Sequence, residues 1–188
     1  MQFKNLNENY IRTYDDVIPQ LMCQHMIEEF EKNEDQFDKQ TLKGHRSFTQ
    51  VNLHQYDNWG YYQNQLQYAF SNCINKYMEE CDITYKMFPE QYAYEMFRMK
   101  RYEPNGVDEF HDHVDVGNIA SAKRFLVFFL YLNEPEGGET DFPQRDISVI
   151  PKAGRLLMFP PMWTHLHAGR KVTGDTSKYI VGSYLHYV

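Results

Sequence analysis

The chain has 188 residues, long enough for one domain whose core needs no disulfide staples. It is 42% hydrophobic and 24% charged with a net charge of −7, and no basic stripe offers itself to phosphates, so a nucleic-acid partner is not expected. The charge excess is uneven: 9 basic against 15 acidic residues through Met99, then 10 against 11 from Lys100 onward. Cys23, Cys73 and Cys81 are odd in number and form no Cys-x-x-Cys pair, which argues against a disulfide framework or a structural zinc knuckle. The start MQFKNLNENYIRTYDD lacks an apolar targeting segment, and no run reaches membrane-spanning length. A soluble, cytoplasmic protein with no membrane partner is the expectation.

The first clear element is an amphipathic helix. Val17, Leu21, Met22, Met26, Ile27 and Phe30 recur at three-to-four spacing behind Asp15 or Asp16 as cap. TLKGHRSFTQVNLH is polar and irregular and reads as a loop with a short strand. A second helix is predicted from about Tyr61 to Glu80, with Tyr61, Leu66, Ala69, Phe70, Cys73, Ile74 and Tyr77 on one face. The period then changes to two. QYAYEMFRMKRY alternates, with Tyr92, Tyr94, Met96 and Arg98 on one side and Ala93, Phe97 and Met99 on the other. RFLVFFLYLN is a near-continuous apolar run, hence a strand buried on both faces. Gly137-Gly138 marks a turn, ISVIPKAGRLLMFP two strands around a turn, and SKYIVGSYLHYV a last strand. Aromatics at 16%, with fifteen Tyr and thirteen Phe, lean the composition towards sheet. The expectation is one α+β domain over 1–188. A helical brace at about 15–80 would back a β-sandwich or jelly-roll core at about 90–188.

The chemistry concentrates in FHDHVDVG. His113 and Asp115 are two apart, so on a strand or its end both side chains point the same way. An imidazole and a carboxylate on one face make two adjacent ligands for a divalent metal. A third from a distant strand would complete a two-His-one-carboxylate triad with open positions for a cosubstrate and O₂. A structural zinc site would want four closed ligands, usually with cysteine, and none is near. His165 and His167 share a face and are both candidates for the third ligand. Beyond them Lys178 sits alone among apolar residues, and a buried ammonium needs an anionic partner. A dicarboxylate such as 2-oxoglutarate, chelating the metal at one end, would supply it. His111 reads as a solvated or hydrogen-bonded loop residue.

The order of these motifs resembles the prolyl 4-hydroxylase-like family of Fe(II)/2-oxoglutarate dioxygenases. Its Tyr-x-x-Gly-x-x-Tyr-x-x-His-x-Asp segment corresponds to Tyr102, Gly106, Phe110, His113 and Asp115, with one residue extra on each side of Gly106 and Phe110 for the second Tyr. Its Arg-led strand and Gly-Gly-Glu-Thr-x-Phe match Arg124 to Leu132 and Gly137 to Phe142. Its His-Ala-Gly…Val…Gly…Lys close is similar to His167-Ala168-Gly169, Val172, Gly174 and Lys178. Lys171 stands where the family usually has Pro. Coverage runs from about Phe97 to the C-terminus, and the arrangement is most similar to short bacterial and bacteriophage members.

The resemblance implies a double-stranded β-helix core with iron at one end, held by His113, Asp115 and His167. The His-Ala-Gly match favours His167 over His165, as does the spacing to Lys178, eleven residues rather than thirteen. Lys178 would pair with the distal carboxylate of 2-oxoglutarate, and Tyr102 matches a tyrosine that faces it. The cofactors implied are Fe(II), 2-oxoglutarate and O₂, with ascorbate as a further candidate. A peptidyl proline is the leading substrate, and Tyr92, Tyr94 and Trp163 are expected to border an open groove for it. A free amino acid or other small metabolite is second. A non-catalytic jelly-roll binding protein is the reading from another class. The intact set His113, Asp115, His167 and Lys178 argues against that last reading. The oligomeric state is left open.

Overall fold

Alternation within two strands sorts the hydrophobic residues into two separate cores. The computed structural model describes residues 10–188, so the polar start 1–9 lies outside the described residues. In chain order the elements are β1 (Arg12–Tyr14), α1 (Gln20–Lys32), β2 (Asp38–Leu42), β3 (Arg46–Asn52), α2 (Gly60–Glu80), β4 (Tyr92–Tyr94), β5 (Arg98–Tyr102), β6 (Glu109–His113), β7 (Arg124–Tyr131), β8 (Thr140–Phe142), β9 (Ile147–Val149), β10 (Leu156–Phe159), β11 (His167–Gly169) and β12 (Lys178–Tyr187), with short 3₁₀ turns between some of them. All named pairings are antiparallel, in the order β1-β10-β7-β12-β5-β3-β6-β11-β8-β9, with β2 on β3 and β4 on β12.

On β7, Leu126, Phe128 and Leu130 join one core, whereas Val127, Phe129 and Tyr131 join the other. On β10, Leu156 and Met158 divide in the same way from Leu157 and Phe159. The first core lies under the helices, where Met26 and Phe30 of α1 and Leu66, Phe70 and Ile74 of α2 meet the sheet. The second unites Phe142 of β8 and Val149 of β9 with β7, β10 and Ile180 of β12. It therefore lies between the two halves of one curled sheet, as in a double-stranded β-helix. The two predicted helices do brace a sheet, and RFLVFFLY is buried on both faces as expected.

Five expectations need correction. The helix α1 starts at Gln20 behind Pro19 with no side-chain cap, because Asp15 is bound to Lys152 and Arg155 and Asp16 adopts a left-handed φ of 55°. The polar stretch after α1 is a full hairpin, β2–β3, turning at Gly44 with φ 73°. The strand β3 lies between β5 and β6 in the middle of the sheet order, so the β core reaches back well before residue 90. The alternating run from Tyr92 breaks into β4 and β5, both paired to β12. Tyr61 is also exposed and not on the buried face of α2.

Phe128 is fully buried and stacks on Phe70 with ring centroids 5.0 Å apart, joining α2 to β7. Phe128→Ala is expected to destabilise the fold by about 3–5 kcal/mol, read as a lower urea midpoint. A change within about 0.5 kcal/mol would show that the helices do not depend on this contact.

Candidate metal centre and inner chamber

Strand pairing brings two of the candidate ligands face to face. His113 ends β6 and His167 begins β11, and the two are direct partners in the ladder. Asp115 follows two residues after His113, where the backbone N–H groups of Asp115 and Val116 both donate to the carbonyl of Pro161. The three side chains each offer a ligand atom, and these atoms lie within 4.8 Å of one another. His113 Nε2 is 3.6 Å from Asp115 Oδ1, and His167 Nε2 is 3.5 Å from Asp115 Oδ2. His165, the other candidate, is buried in a 3₁₀ turn with its Nδ1 2.8 Å from Thr164 Oγ1, outside this cluster.

The hydrogen bonds around the cluster leave lone pairs pointing inward. His113 Nδ1 is 2.7 Å from the carbonyl of His111, and His167 Nδ1 is 3.0 Å from that of His165. A carbonyl only accepts, so each Nδ1 carries the proton and each Nε2 keeps its lone pair. His167 Nε2 and Asp115 Oδ2 are buried with no hydrogen-bond partner. Two orphaned acceptors side by side are costly in a dry site unless a cation lies between them. A divalent ion about 2.1 Å from each donor in a facial arrangement sets neighbouring donors about 3 Å apart, close to the spacing here. The donor set, two imidazoles and one carboxylate, fits a redox-active divalent metal with open positions. Burial pushes His167 down to about 4, so it stays a neutral ligand near pH 7. Against its own burial, Asp115 is held below the ordinary carboxylate range by the two histidines and Tyr184.

A further layer fixes the carboxylate. Tyr184 Oη donates to Asp115 Oδ1 at 2.9 Å, and burial with the Asp115 charge keeps this phenol protonated. Arg124 stacks over the Tyr184 ring at 4.0 Å and donates Nη1 to the Asp115 carbonyl at 3.2 Å. Its other two nitrogens grip Glu95 through two bonds of 2.8 Å. Phe110 stacks flat on the His113 ring at 3.5 Å. Neither Tyr184 nor Glu95 stands out as a site residue in the sequence motifs. Period two along β12 carries that signal, since Lys178, Ile180, Gly182 and Tyr184 share a face.

Behind the cluster is an inner chamber of about 20 Å³ lined by Tyr102, Thr140, His167, Gly169 and Lys178 among others. Lys178 is 1% exposed, and its Nζ donates to the Gly138 carbonyl at 2.9 Å and lies 4.3 Å from the Tyr102 ring. Burial, with the Lys100 charge, pushes it down to about 7. Gly137 and Gly138 both have left-handed φ, and a Cβ on Gly138 would come within 3.0 Å of Lys178 Cδ. The turn thus needs glycine to close over the lysine. Lys100, Phe110, His113 and Phe129 also line an outer cavity of about 320 Å³, so the two spaces adjoin. The aromatic groove is not found where it was expected. Tyr94 packs on Phe97 and Phe128, Tyr92 on Phe88 and Phe125, and Trp163 is 77% exposed; none lines either cavity.

Residues 97–186 match the model of the 2OG-Fe(II) oxygenase superfamily. No curated protein matches the chain. Among solved structures, the 2OG complex of a viral collagen prolyl hydroxylase from Paramecium Bursaria Chlorella virus-1 superposes with TM-score 0.74 at 22% identity, over 95% of this chain and 97% of that one. A Pseudomonas putida prolyl-4-hydroxylase gives 0.68 at 14%, over 96% and 94%. A Trichoplax adhaerens prolyl hydroxylase in complex with a hypoxia inducible factor peptide fragment gives 0.73 at 14%, over 96% and 85%. These structures share the fold.

Tight binding of one Mn(II) or Fe(II) per chain, read by anaerobic equilibrium dialysis, should be lost in His167→Ala and retained in His165→Ala. Tyr184→Phe should weaken it about tenfold to a hundredfold by releasing the carboxylate. Loss in His165→Ala with retention in His167→Ala would reassign the distal ligand.

Proposed function

The β core is that of a 2OG-Fe(II) oxygenase, a 2-oxoglutarate- and Fe(II)-dependent dioxygenase by family, and we propose that the chain uses it to hydroxylate a C–H bond of a peptidyl proline. One observation carries the site assignment: three ligand atoms converge with two orphaned lone pairs, and one buried lysine stands across the adjoining chamber. His113, Asp115 and His167 would hold Fe(II), and Lys178 with Tyr102 would receive the distal carboxylate of 2-oxoglutarate. Iron so held supplies the redox chemistry with O₂ by which substrate and 2-oxoglutarate become hydroxylated product, succinate and CO₂.

The protein's own part is geometry and charge. The backbone carbonyls of His111 and His165 fix the ligand tautomers, and Tyr184 with Arg124 fixes the carboxylate. Lys178 gives the cosubstrate a charge-assisted hydrogen bond where water is excluded. Ile180 and Phe129 on the chamber wall keep it apolar. The proline reading is supported by the motif order, and by structural neighbours that include prolyl hydroxylases, one in complex with a peptide. A small metabolite is the second reading, favoured by the cavity being a pocket away from Tyr92, Tyr94 and Trp163. Cytoplasmic localisation and a single domain over 1–188 complete the proposal.

Incubation with Fe(II), 2-oxoglutarate and O₂ plus a peptide panel should give succinate and a mass gain of one oxygen on proline. A free amino acid coupling where no peptide does would keep the enzyme class and remove the prolyl substrate. Lys178→Ala should raise the half-saturating 2-oxoglutarate concentration about tenfold to a hundredfold, with a much smaller change for Fe(II). An unchanged 2-oxoglutarate dependence would contradict the role given to Lys178.

A further inference from the structure

The outer cavity carries a charge pattern that metal and cosubstrate do not use. Four cationic side chains line it, Arg46, Arg98, Lys100 and Arg124, against one acid, Asp115. The chain as a whole is −7, so this local excess runs against the overall balance. Arg124 is neutralised by Glu95. Among the described residues no carboxylate pairs with the other three. Arg46 donates to Gln40 Oε1 at 3.0 Å, and its Nε is buried without a partner. The Lys100 ammonium is boxed by Phe48, Phe129 and Phe110 at 5.0, 5.7 and 6.0 Å from their ring centroids. Burial pushes it down to about 8 against the pull of the Asp115 carboxylate, with the arginines nearby adding to the fall.

Strand geometry puts these groups on the wall that faces the metal ligands. Arg98 and Lys100 alternate on β5 with Tyr102, so all three share the interior face. In the neighbouring ladder Arg98 is opposite Gly182, where a Cβ would come within 3.2 Å of the Phe129 ring. The glycine leaves open the floor between Arg98 and the cavity. His113 and Asp115 line the same space. On the reading above, a divalent metal is balanced by Asp115 and the keto-acid carboxylate of 2-oxoglutarate, and Lys178 by its distal carboxylate. Arg46, Arg98 and Lys100 then remain uncompensated in a partly desolvated pocket, which is costly without an incoming anion.

We propose that the substrate carries a carboxylate, and that Arg98, Lys100 and Arg46 bind it within the cavity that exposes the metal ligands. This rests on the proposed dioxygenase function and narrows its substrate. The carboxylate could belong to an acidic side chain next to the hydroxylated residue of a peptide, or be that of a free amino acid.

The test is calorimetric titration of the anaerobic protein loaded with Fe(II) and 2-oxoglutarate, using two matched pairs of probes. One is an acetylated Pro-Glu dipeptide amide against its Pro-Gln counterpart; the other is L-proline against L-prolinamide. At least one carboxylate should bind about tenfold or more tightly than its amide partner. The pair that shows the contrast identifies the source of the carboxylate. The contrast should fall to within about threefold in both Arg98→Gln and Lys100→Met, the latter keeping the apolar stem in its aromatic box. Equal binding of acid and amide, no binding of any probe, or a contrast that survives in both variants would overturn the inference. Succinate release without added substrate is measured separately. Its absence would count against the dioxygenase function, whereas the calorimetric contrast, which needs no turnover, decides the substrate charge.

Discussion

A charge enclosed in a protein interior has to be answered by another charge, and the space inside this curled sheet is organised around that requirement. Asp115, Lys178 and Lys100 all project into it from strands or strand ends. Each is answered differently. Asp115 is held by Tyr184 and faces two imidazoles, with one oxygen left orphaned. Lys178 has a backbone carbonyl and an aromatic face with the Glu139 charge farther off, and Lys100 has aromatic rings with the Asp115 charge beyond them. Neutral partners do not cancel an ammonium in such a place, so an anion entering from outside would stabilise either lysine. Those unmet charges are the clearest trace of ligands in the fold.

The scaffold makes this possible by separating stability from chemistry. One face of β7 and β10 joins α1 and α2 in an apolar core, and the other carries the site. The helices can therefore anchor the sheet without touching the ligands. On the site face, the direct pairing of His113 with His167 sets two donors by backbone register alone. The carboxylate, just beyond the end of β6, has no ladder partner and depends instead on Pro161, Arg124 and Tyr184. Glu95 does for Arg124 what Arg124 does for Asp115. Orientation thus passes outward from the cluster through charge-assisted bonds.

The parts of the site that were legible in the sequence are those in which chemistry and spacing coincide. His113 and Asp115 are two apart, and Lys178 stands out against Tyr179, Ile180 and Val181. The choice of His167 over His165 rests on the motif match and on the shorter spacing to Lys178, and the structure places His165 in a turn. Lys100 was not legible for a physical reason: Met99-Lys100-Arg101-Tyr102 carries charge on both faces. Arg101 points outward to Glu31 and Glu103, which hides the fact that Lys100 points inward. The hairpin β2–β3 is not legible because β2, Asp-Lys-Gln-Thr-Leu, buries no residue fully and so shows no hydrophobic alternation. The cap of α1 was misplaced because Asp15 is committed to a pair of cations more than 130 residues away. Aromatic density suggested a groove at Tyr92, Tyr94 and Trp163, yet two of these rings serve packing. Composition shows how many rings there are and not which way they face.

The claim on which the account turns is that an open, two-imidazole, one-carboxylate iron site lies at the rim of the inner chamber. X-ray absorption at the iron edge of the anaerobically loaded protein tests it most directly. The account predicts one iron per chain bound by two imidazole nitrogens with oxygen donors in the remaining positions and no sulfur, and a change in the oxygen donors alone when 2-oxoglutarate is added. A four-coordinate site, a sulfur donor, a third imidazole, or a spectrum indifferent to 2-oxoglutarate would contradict it.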